Sequence, residues 1–124
     1  MSRRRLLLVC HAIVLAFATS AIAADVGNCL KLETRPGADA AFSNVCIDWL
    51  NVMYCVDGGQ GGPACADKPK DVITLMPGNS VALSGYDGRT GSLRWAVCAY
   101  PEAPVGWEPA RDQAYTCKKT CVMC

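Results

Sequence analysis

The cysteines are the residues whose type and number most restrict the chemistry of this chain. Eight of the nine lie beyond an apolar N-terminal stretch: Cys29, Cys46, Cys55, Cys65, Cys98, Cys117, Cys121 and Cys124. An even number of cysteines in a short exported chain indicates a disulfide framework. The alternative is a thiolate metal site, and the last three cysteines have the closest spacing for one. Structural zinc sites need a second tight pair of ligands, which is missing, so we expect disulfides and no metal or other cofactor.

Spacing favours some cysteine pairs over others, although eight cysteines allow about a hundred complete pairings. Cys55 and Cys65 bracket a glycine-rich loop and are predicted to form one bridge. Cys46 and Cys98 lie in apolar stretches and are predicted to join two sheets. Cys29 would then pair with one of the three C-terminal cysteines, and the other two with each other.

Histidine is missing from most of the chain, because the single copy, His11, lies in the N-terminal apolar stretch. Its absence elsewhere excludes Ser–His and Cys–His nucleophile pairs and His-ligated catalytic zinc. Carboxylate-pair hydrolysis would need two positioned acids, and no pair of Asp or Glu is marked by its spacing. Cys121 and Cys124 have the spacing of a redox dithiol, but we expect a structural bridge there. The chain is therefore predicted not to be an enzyme.

Aromatic residues and prolines gather in the segment from Trp95 to Pro109. Aromatic side chains on a proline-stiffened loop lose little entropy on binding and often anchor interfaces. The candidate ligand-binding residues are Tyr100, Glu102 and Trp107. The alternative is that these aromatics are structural, with Trp95 filling the core and Trp107 capping its end.

The first 23 residues have the pattern of a secretory signal peptide. Arg3, Arg4 and Arg5 precede an apolar run from Leu6 to Ala18, and Ala21-Ile22-Ala23 is a small-residue cleavage signature. The run is shorter than the roughly 20 residues that span a bilayer, and Cys10 is read as part of it. A twin-arginine export signal is a weaker alternative. We predict a leader at 1–23, a single domain at 24–124, a secreted or periplasmic location and no membrane insertion after cleavage.

The charge of the predicted mature chain excludes two classes of partner. Nine Lys or Arg and eleven Asp or Glu remain after the leader, a net charge of about −2. Nucleic-acid binding domains and polybasic membrane-binding segments show a clustered excess of Lys and Arg. We therefore expect neither nucleic acid nor an anionic membrane surface as a partner.

Turn signals recur along the chain at intervals typical of all-β domains. Gly and Pro clusters occur at 35–37, 57–63, 77–78 and 87–88, and the segments between them are rich in Val, Ile, Leu, Trp and Tyr. The predicted strands are 29–34, 45–56, 71–76, 80–84, 93–99 and 114–118. Pro77-Gly78 predicts a type II turn in a hairpin or strand-turn-strand unit. The predicted fold is a small disulfide-stabilised β-sandwich or barrel-like domain.

The stretch 38–55 is ambiguous between helix and strand. Its apolar residues recur at helical spacing: Phe42, Val45, Cys46, Trp49, Val52 and Met53. Several of them also fit one face of a strand, interrupted at Asn51. The β-branched and aromatic residues and the glycine-rich sequence that follows favour the strand.

A set of motifs in this chain resembles a pattern found in uncharacterised small exported cysteine-rich bacterial β-domains. The motifs are Asn44-Val45-Cys46, Asn51-Val52-Met53-Tyr54-Cys55, Cys65, Leu75-Met76-Pro77-Gly78 and Trp95-Ala96-Val97-Cys98-Ala99-Tyr100-Pro101. The resemblance covers residues 42–104. It favours the strand interpretation and implies no function.

These observations lead to a prediction of function. We expect an exported binding module whose partner is a protein or a cell-envelope component. The alternative is a secreted proteinase inhibitor that presents the Gly58–Pro63 loop or the Tyr100–Trp107 loop. A small carboxylate hydrolase is the weakest interpretation for a domain of this size.

Overall fold

The computed structural model describes residues 26–58 and 61–119. Within these ranges the regular structure consists of strands and two short 3-10 helices, at Val26–Cys29 and Cys65–Asp67. The eight strands are β1 (Leu30–Glu33), β2 (Ala41–Asn44), β3 (Leu50–Asp57), β4 (Ile73–Leu75), β5 (Ser80–Ala82), β6 (Ser92–Ala99), β7 (Glu102–Val105) and β8 (Thr116–Lys119). The all-β prediction is confirmed.

The strands form three antiparallel sheets. An outer sheet has the order β1-β2-β5, a central sheet has the order β4-β3-β6, and β7 and β8 form a two-stranded ribbon. None of these sheets closes on itself within the described residues, so the finer prediction of a sandwich or barrel remains a prediction.

Strand β3 is the middle strand of the central sheet and is covered on both faces. Successive side chains of a strand point to opposite faces, so Leu50, Val52 and Val56 enter one apolar core while Met53 and Cys55 enter another. The first core also takes side chains from the outer sheet, such as the buried Phe42 of β2. Burying a side chain of this kind contributes about 1.5–3 kcal/mol.

The second core lies on the other face of the central sheet. Met53, Cys55 and Ala96 pack there with Cys65, from the second 3-10 helix, and with Trp107. The half-buried Tyr115, which precedes β8, packs against the same cluster. Segments near the C-terminal ribbon thus cover the face of the central sheet that the outer sheet leaves open.

The ambiguous stretch 38–55 contains no helix, but the single strand predicted at 45–56 is wrong at its start. Residues 45–49 form a bend between β2 and β3. The cause is Asn44, whose side-chain Oδ1 accepts a hydrogen bond from the amide of Cys46 (3.0 Å). Asparagine bonds of this kind, to the backbone two residues ahead, stabilise turns instead of strands.

The predicted turn at Pro77-Gly78 is present. The amide of Asn79 donates to the carbonyl of Met76 (3.1 Å), and Gly78 has a φ of 76°, the positive value that a type II turn requires at this position. The flanking strands β4 and β5 belong to different sheets. The unit is therefore a strand-turn-strand connection between two sheets and not a hairpin.

Three disulfides join the described cysteines: Cys29–Cys46, Cys55–Cys65 and Cys98–Cys117. Their Cα–Cα distances of 5.1, 4.8 and 5.7 Å lie in the usual range. The predicted Cys55–Cys65 bridge is present. The predicted Cys46–Cys98 bridge is wrong, and so is the pairing of Cys29 with a C-terminal cysteine.

The two predicted partners lie on opposite sides of the central sheet. Cys46 packs against the first core. Cys98 pairs in register with Asn51, on the face that β8 covers, and there it reaches Cys117. A bridge from Cys46 to Cys98 would have to pass through the sheet.

Strand β7 was not predicted, because three prolines in residues 100–109 indicated a loop. The strand contains Pro104, which pairs with Cys117 of β8. Proline is tolerated at the edge of a sheet because no neighbouring strand needs its missing N–H.

The predicted leader at 1–23 and the cysteines Cys121 and Cys124 lie outside the described residues. No helix among the described residues is long and apolar enough to cross a membrane.

Candidate binding surface

The three predicted ligand-binding residues, Tyr100, Glu102 and Trp107, differ in their exposure to solvent. Tyr100 is 56% exposed. Glu102 begins β7 and is half-buried, and its backbone carbonyl accepts a hydrogen bond from the Asn51 side-chain amide (2.8 Å). Trp107 is only 5% exposed and packs in the second core. Of the three, only Tyr100 presents most of its side chain to solvent.

Trp95 was expected to fill the core, but Trp107 is the more deeply buried of the two tryptophans. Trp107 is a core residue, and its indole Nε1 is buried without a hydrogen-bond partner in the described residues. Trp95 is 40% exposed and packs edge-on against Phe42, with ring centroids 5.9 Å apart. Trp107 therefore acts through packing, since its side chain has almost no surface to offer a ligand.

The exposed ring of Tyr100 has a partner in Trp49. Their centroids are 5.9 Å apart and their planes are tilted by 45°. Trp49 is 46% exposed and Ile47, two residues earlier, is 90% exposed. With Asp48 these residues line a shallow depression of about 380 Å³. We refer to Ile47, Asp48, Trp49 and Tyr100 as the aromatic patch.

Backbone pairing fixes the two aromatic residues relative to each other. Trp49 immediately precedes β3 and Tyr100 immediately follows β6, two strands that pair from Leu50 opposite Ala99 onward. The amide of Tyr100 donates to the carbonyl of Trp49 (2.9 Å), which extends this ladder by one step. The rings therefore project from the end of the longest strand pair in the molecule.

The bend that carries Ile47 and Asp48 is held by the buried side chain of Asn44. Its Nδ2 donates to the carbonyl of Asp48 (2.7 Å) and to that of Leu75 in β4 (3.1 Å). Its Oδ1 accepts from the amide of Cys46. One amide side chain thus ties both ends of the bend to the neighbouring strand.

A disulfide anchors the same bend to the N-terminal part of the domain. Cys46 is bonded to Cys29, and the amide of Val45 donates to the Cys29 carbonyl (2.9 Å). Ile47 directly follows this bridge. The aromatic patch is therefore preorganised, which lowers the entropy lost when a partner binds.

Two other depressions lie elsewhere on the surface. One, of about 260 Å³, lies between the 35–39 and 87–89 loops and contains Arg35 and Arg89. The other, of about 290 Å³, is lined by Tyr54 and neighbouring prolines, and partial burial raises the pKa of the Tyr54 phenol. The first depression also contains two acids, Asp39 and Asp87, beside its two arginines, and the second contains one, Asp71. No group of three potential metal ligands occurs in the described residues.

Two exposed carboxylates have a lowered pKa. The backbone amides of Arg89 and Thr90 donate to Asp87 and lower the pKa of its carboxyl. Hydrogen bonds from Arg111 and then Lys68 lower the pKa of Glu108. Both groups are stabilised in the ionised form, whereas a general acid needs a raised pKa.

Sequence reasoning missed Ile47, Asp48 and Trp49 because it placed them inside a continuous strand, where Ile47 and Trp49 would share one face of a sheet, and not on an exposed bend. The available signal was Asn44, two residues before Cys46. Asparagine side chains that hydrogen-bond the backbone two residues ahead favour turns, and the turn exposes the residues after it.

Comparison of the chain with protein-family models, with curated protein sequences and with solved structures found no match.

Proposed function

We propose that this protein is an exported, non-enzymatic binding module that contacts a protein or a cell-envelope component through the aromatic patch. The observation that carries the proposal is the exposed Trp49–Tyr100 pair on a bend fixed by Asn44 and by the Cys29–Cys46 bridge. Tryptophan and tyrosine are the residues most often found at the energetic centre of interfaces.

The exposed apolar surface of the aromatic patch supports a binding role. Trp49, Tyr100 and Ile47 expose about half or more of their side chains within one depression. Isolated exposed apolar residues are common on protein surfaces, but adjacent ones mark interaction sites.

A catalytic function has less support. The lowered pKa of Asp87 and of Glu108 favours permanent charge at both groups. The chain from residue 26 onward also contains no histidine. Acid–base catalysis near neutral pH relies on groups whose pKa has been moved toward the working pH.

The cellular location and the finer architecture belong to the same proposal. Three disulfides are typical of extracellular or periplasmic proteins, which is consistent with export through a cleaved leader at 1–23. The outer and central sheets both contribute to the first core, an arrangement that supports the description as a small sandwich.

The proteinase-inhibitor alternative has one favourable observation, the Cys55–Cys65 bridge that brackets the Gly58–Pro63 loop. A reactive loop must stand clear of the domain to enter a protease cleft. Gly61 instead lies so close to Gly85 that a Cβ on Gly61 would overlap the Gly85 carbonyl oxygen. In the Tyr100–Trp107 segment, four residues pair with β8. The binding module is therefore the better-supported function.

The proposal is tested by the binding of labelled, oxidised protein to an envelope fraction, measured to saturation. We expect the double variant Trp49→Ser, Tyr100→Ser to bind at least about tenfold more weakly, as for a hot-spot pair. The control is Val72→Ser, which alters an exposed apolar residue that directly precedes β4 and lies outside the aromatic patch. Wild-type affinity in the double variant would refute the role of the patch. Nanomolar inhibition in a protease panel would support the alternative.

A further inference from the structure

The aromatic patch combines two ring systems with one carboxylate. Trp49, Tyr100 and Asp48 line the same depression, and none of the basic side chains that the structure describes lines it. Aromatic faces carry partial negative charge, and indole attracts cations most strongly. Both features of the lining therefore favour a positively charged group.

The tilt of the rings favours a compact cation over a flat ligand. Two rings inclined at 45° cannot form one plane on which an extended flat surface would stack. They can both contact a small charged group held against the depression. A guanidinium or ammonium group has the appropriate size and can approach to within about 6 Å of a ring centroid.

Asp48 has no internal ion pair among the described residues, unlike two other acids of the domain. Glu108 is paired with Lys68 and Arg111, and Asp57 with Arg94. In the ranges 26–58 and 61–119, no Lys or Arg lies within ion-pair distance of Asp48. An incoming cation would therefore not compete with an internal partner.

The open shape of the patch favours a protein surface over a small molecule. Pockets for small ligands bury most of the ligand, whereas Ile47 is 90% exposed at the rim of this depression. An apolar side chain next to the cation of a partner protein would cover Ile47. A free small cation would leave it in water.

We propose that the aromatic patch binds a lysine or arginine side chain of a partner protein, with Trp49 and Tyr100 contacting the cation, Asp48 neutralising it and Ile47 packing against an apolar neighbour. The inference rests on the proposed function. It specifies the chemistry that the partner must present.

The test uses two synthetic peptides that differ only at one position between two leucines, arginine in one and its neutral isostere citrulline in the other. Binding to ¹⁵N-labelled oxidised protein is followed through the indole N–H signal of Trp49, with the signals of Trp95 and Trp107 as internal controls. We expect the arginine peptide to bind about fivefold or more tightly than the citrulline peptide. We expect Asp48→Asn to remove most of that difference.

Equal affinity for the two peptides would overturn the inference. So would a Trp49 signal that neither peptide shifts at about 10 mM, a concentration at which even a millimolar Kd would be detected. Binding to phosphatidylcholine vesicles in preference to the arginine peptide would overturn it in favour of a lipid headgroup. In each case the envelope-binding assay reports separately on the proposed function. If Trp49→Ser, Tyr100→Ser still loses envelope binding, the function stands and only the cation is excluded.

Discussion

The hydroxyl of Tyr115 serves both backbone groups of Val97. Its oxygen lies 3.1 Å from the Val97 carbonyl, to which it donates, and 3.3 Å from the Val97 amide, from which it accepts. Val97 lies in β6, at the edge of the central sheet. One phenol thus makes the two hydrogen bonds that a further strand would make, and the Cys98–Cys117 bridge lies beside it.

Removing this hydroxyl should destabilise the domain. Tyr115→Phe leaves the amide and the carbonyl of Val97 without these partners, and we expect a loss of about 1–3 kcal/mol in the free energy of unfolding. Urea unfolding measures the change. Tyr100→Phe is the matched control, since the Tyr100 hydroxyl makes no hydrogen bond within the described ranges, and it should leave the midpoint unchanged. Equal midpoints for Tyr115→Phe and wild type would contradict the role assigned to Tyr115.

Truncation of Asn44 should affect both stability and binding. Asn44→Ala removes one acceptor and two donor contacts from a side chain that is 2% exposed, so we expect a loss of about 2–4 kcal/mol. The loosened bend should also weaken binding at the aromatic patch. Chemical denaturation and the envelope-binding assay measure the two effects. The exposed Asn28 provides the control variant Asn28→Ala. Unchanged affinity in a folded Asn44→Ala protein would show that preorganisation of the bend is unimportant.

The Cys29–Cys46 bridge should contribute strongly to stability. It spans 17 residues, for which the chain-entropy relation gives about 3 kcal/mol. We expect the double variant Cys29→Ser, Cys46→Ser to lose about this amount in denaturant unfolding. Reduction of the wild-type protein should lower Tm by more than about 10 °C, because 1 kcal/mol corresponds to several degrees in a domain of this size. A melting curve that is the same in strong reductant would refute the disulfide framework.

Acid pH should reduce the contribution that the Asp87 carboxylate makes to the stability of the fold. A lowered pKa in the folded state means that the carboxylate stabilises the fold above its unfolded pKa of about 4, and that this contribution is lost as pH falls through the folded value. The difference in urea midpoint between wild type and Asp87→Ala should therefore shrink from about pH 6 to about pH 2. Asp39→Ala, in the facing loop, controls for loss of a surface charge. A difference that is constant with pH would contradict the hydrogen bonds from Arg89 and Thr90.

The fold class could be predicted because its signals are local. Glycine and proline clusters mark turns, and the type II turn at Pro77-Gly78 forms where these two residue types require it. The Cys55–Cys65 bridge is local too, since ten residues separate the two cysteines. Strand β2 was missed, because the predicted strand began at residue 45. A hydrogen bond from the Cys46 amide to the Asn44 side chain, and not a change in hydrophobicity, separates β2 from β3.

Long-range relationships could not be predicted from spacing. Whether Cys98 meets Cys46 or Cys117 depends on which face of the central sheet each segment covers, and that depends on the order of strands in three sheets. The candidate site was identified only at Tyr100 for the same reason. Trp49 joins Tyr100 through the pairing of β3 with β6, across 51 positions of sequence.

The double coverage of β3 has a consequence for how the chain reaches its final structure. A shift of β3 by one residue against β6 would turn Cys55 away from Cys65 and move Asn51 from the face of the second core to that of the first. The Cys55–Cys65 bridge can close only when β3 lies in its native alignment, so this bridge, once oxidised, holds the central strands in register.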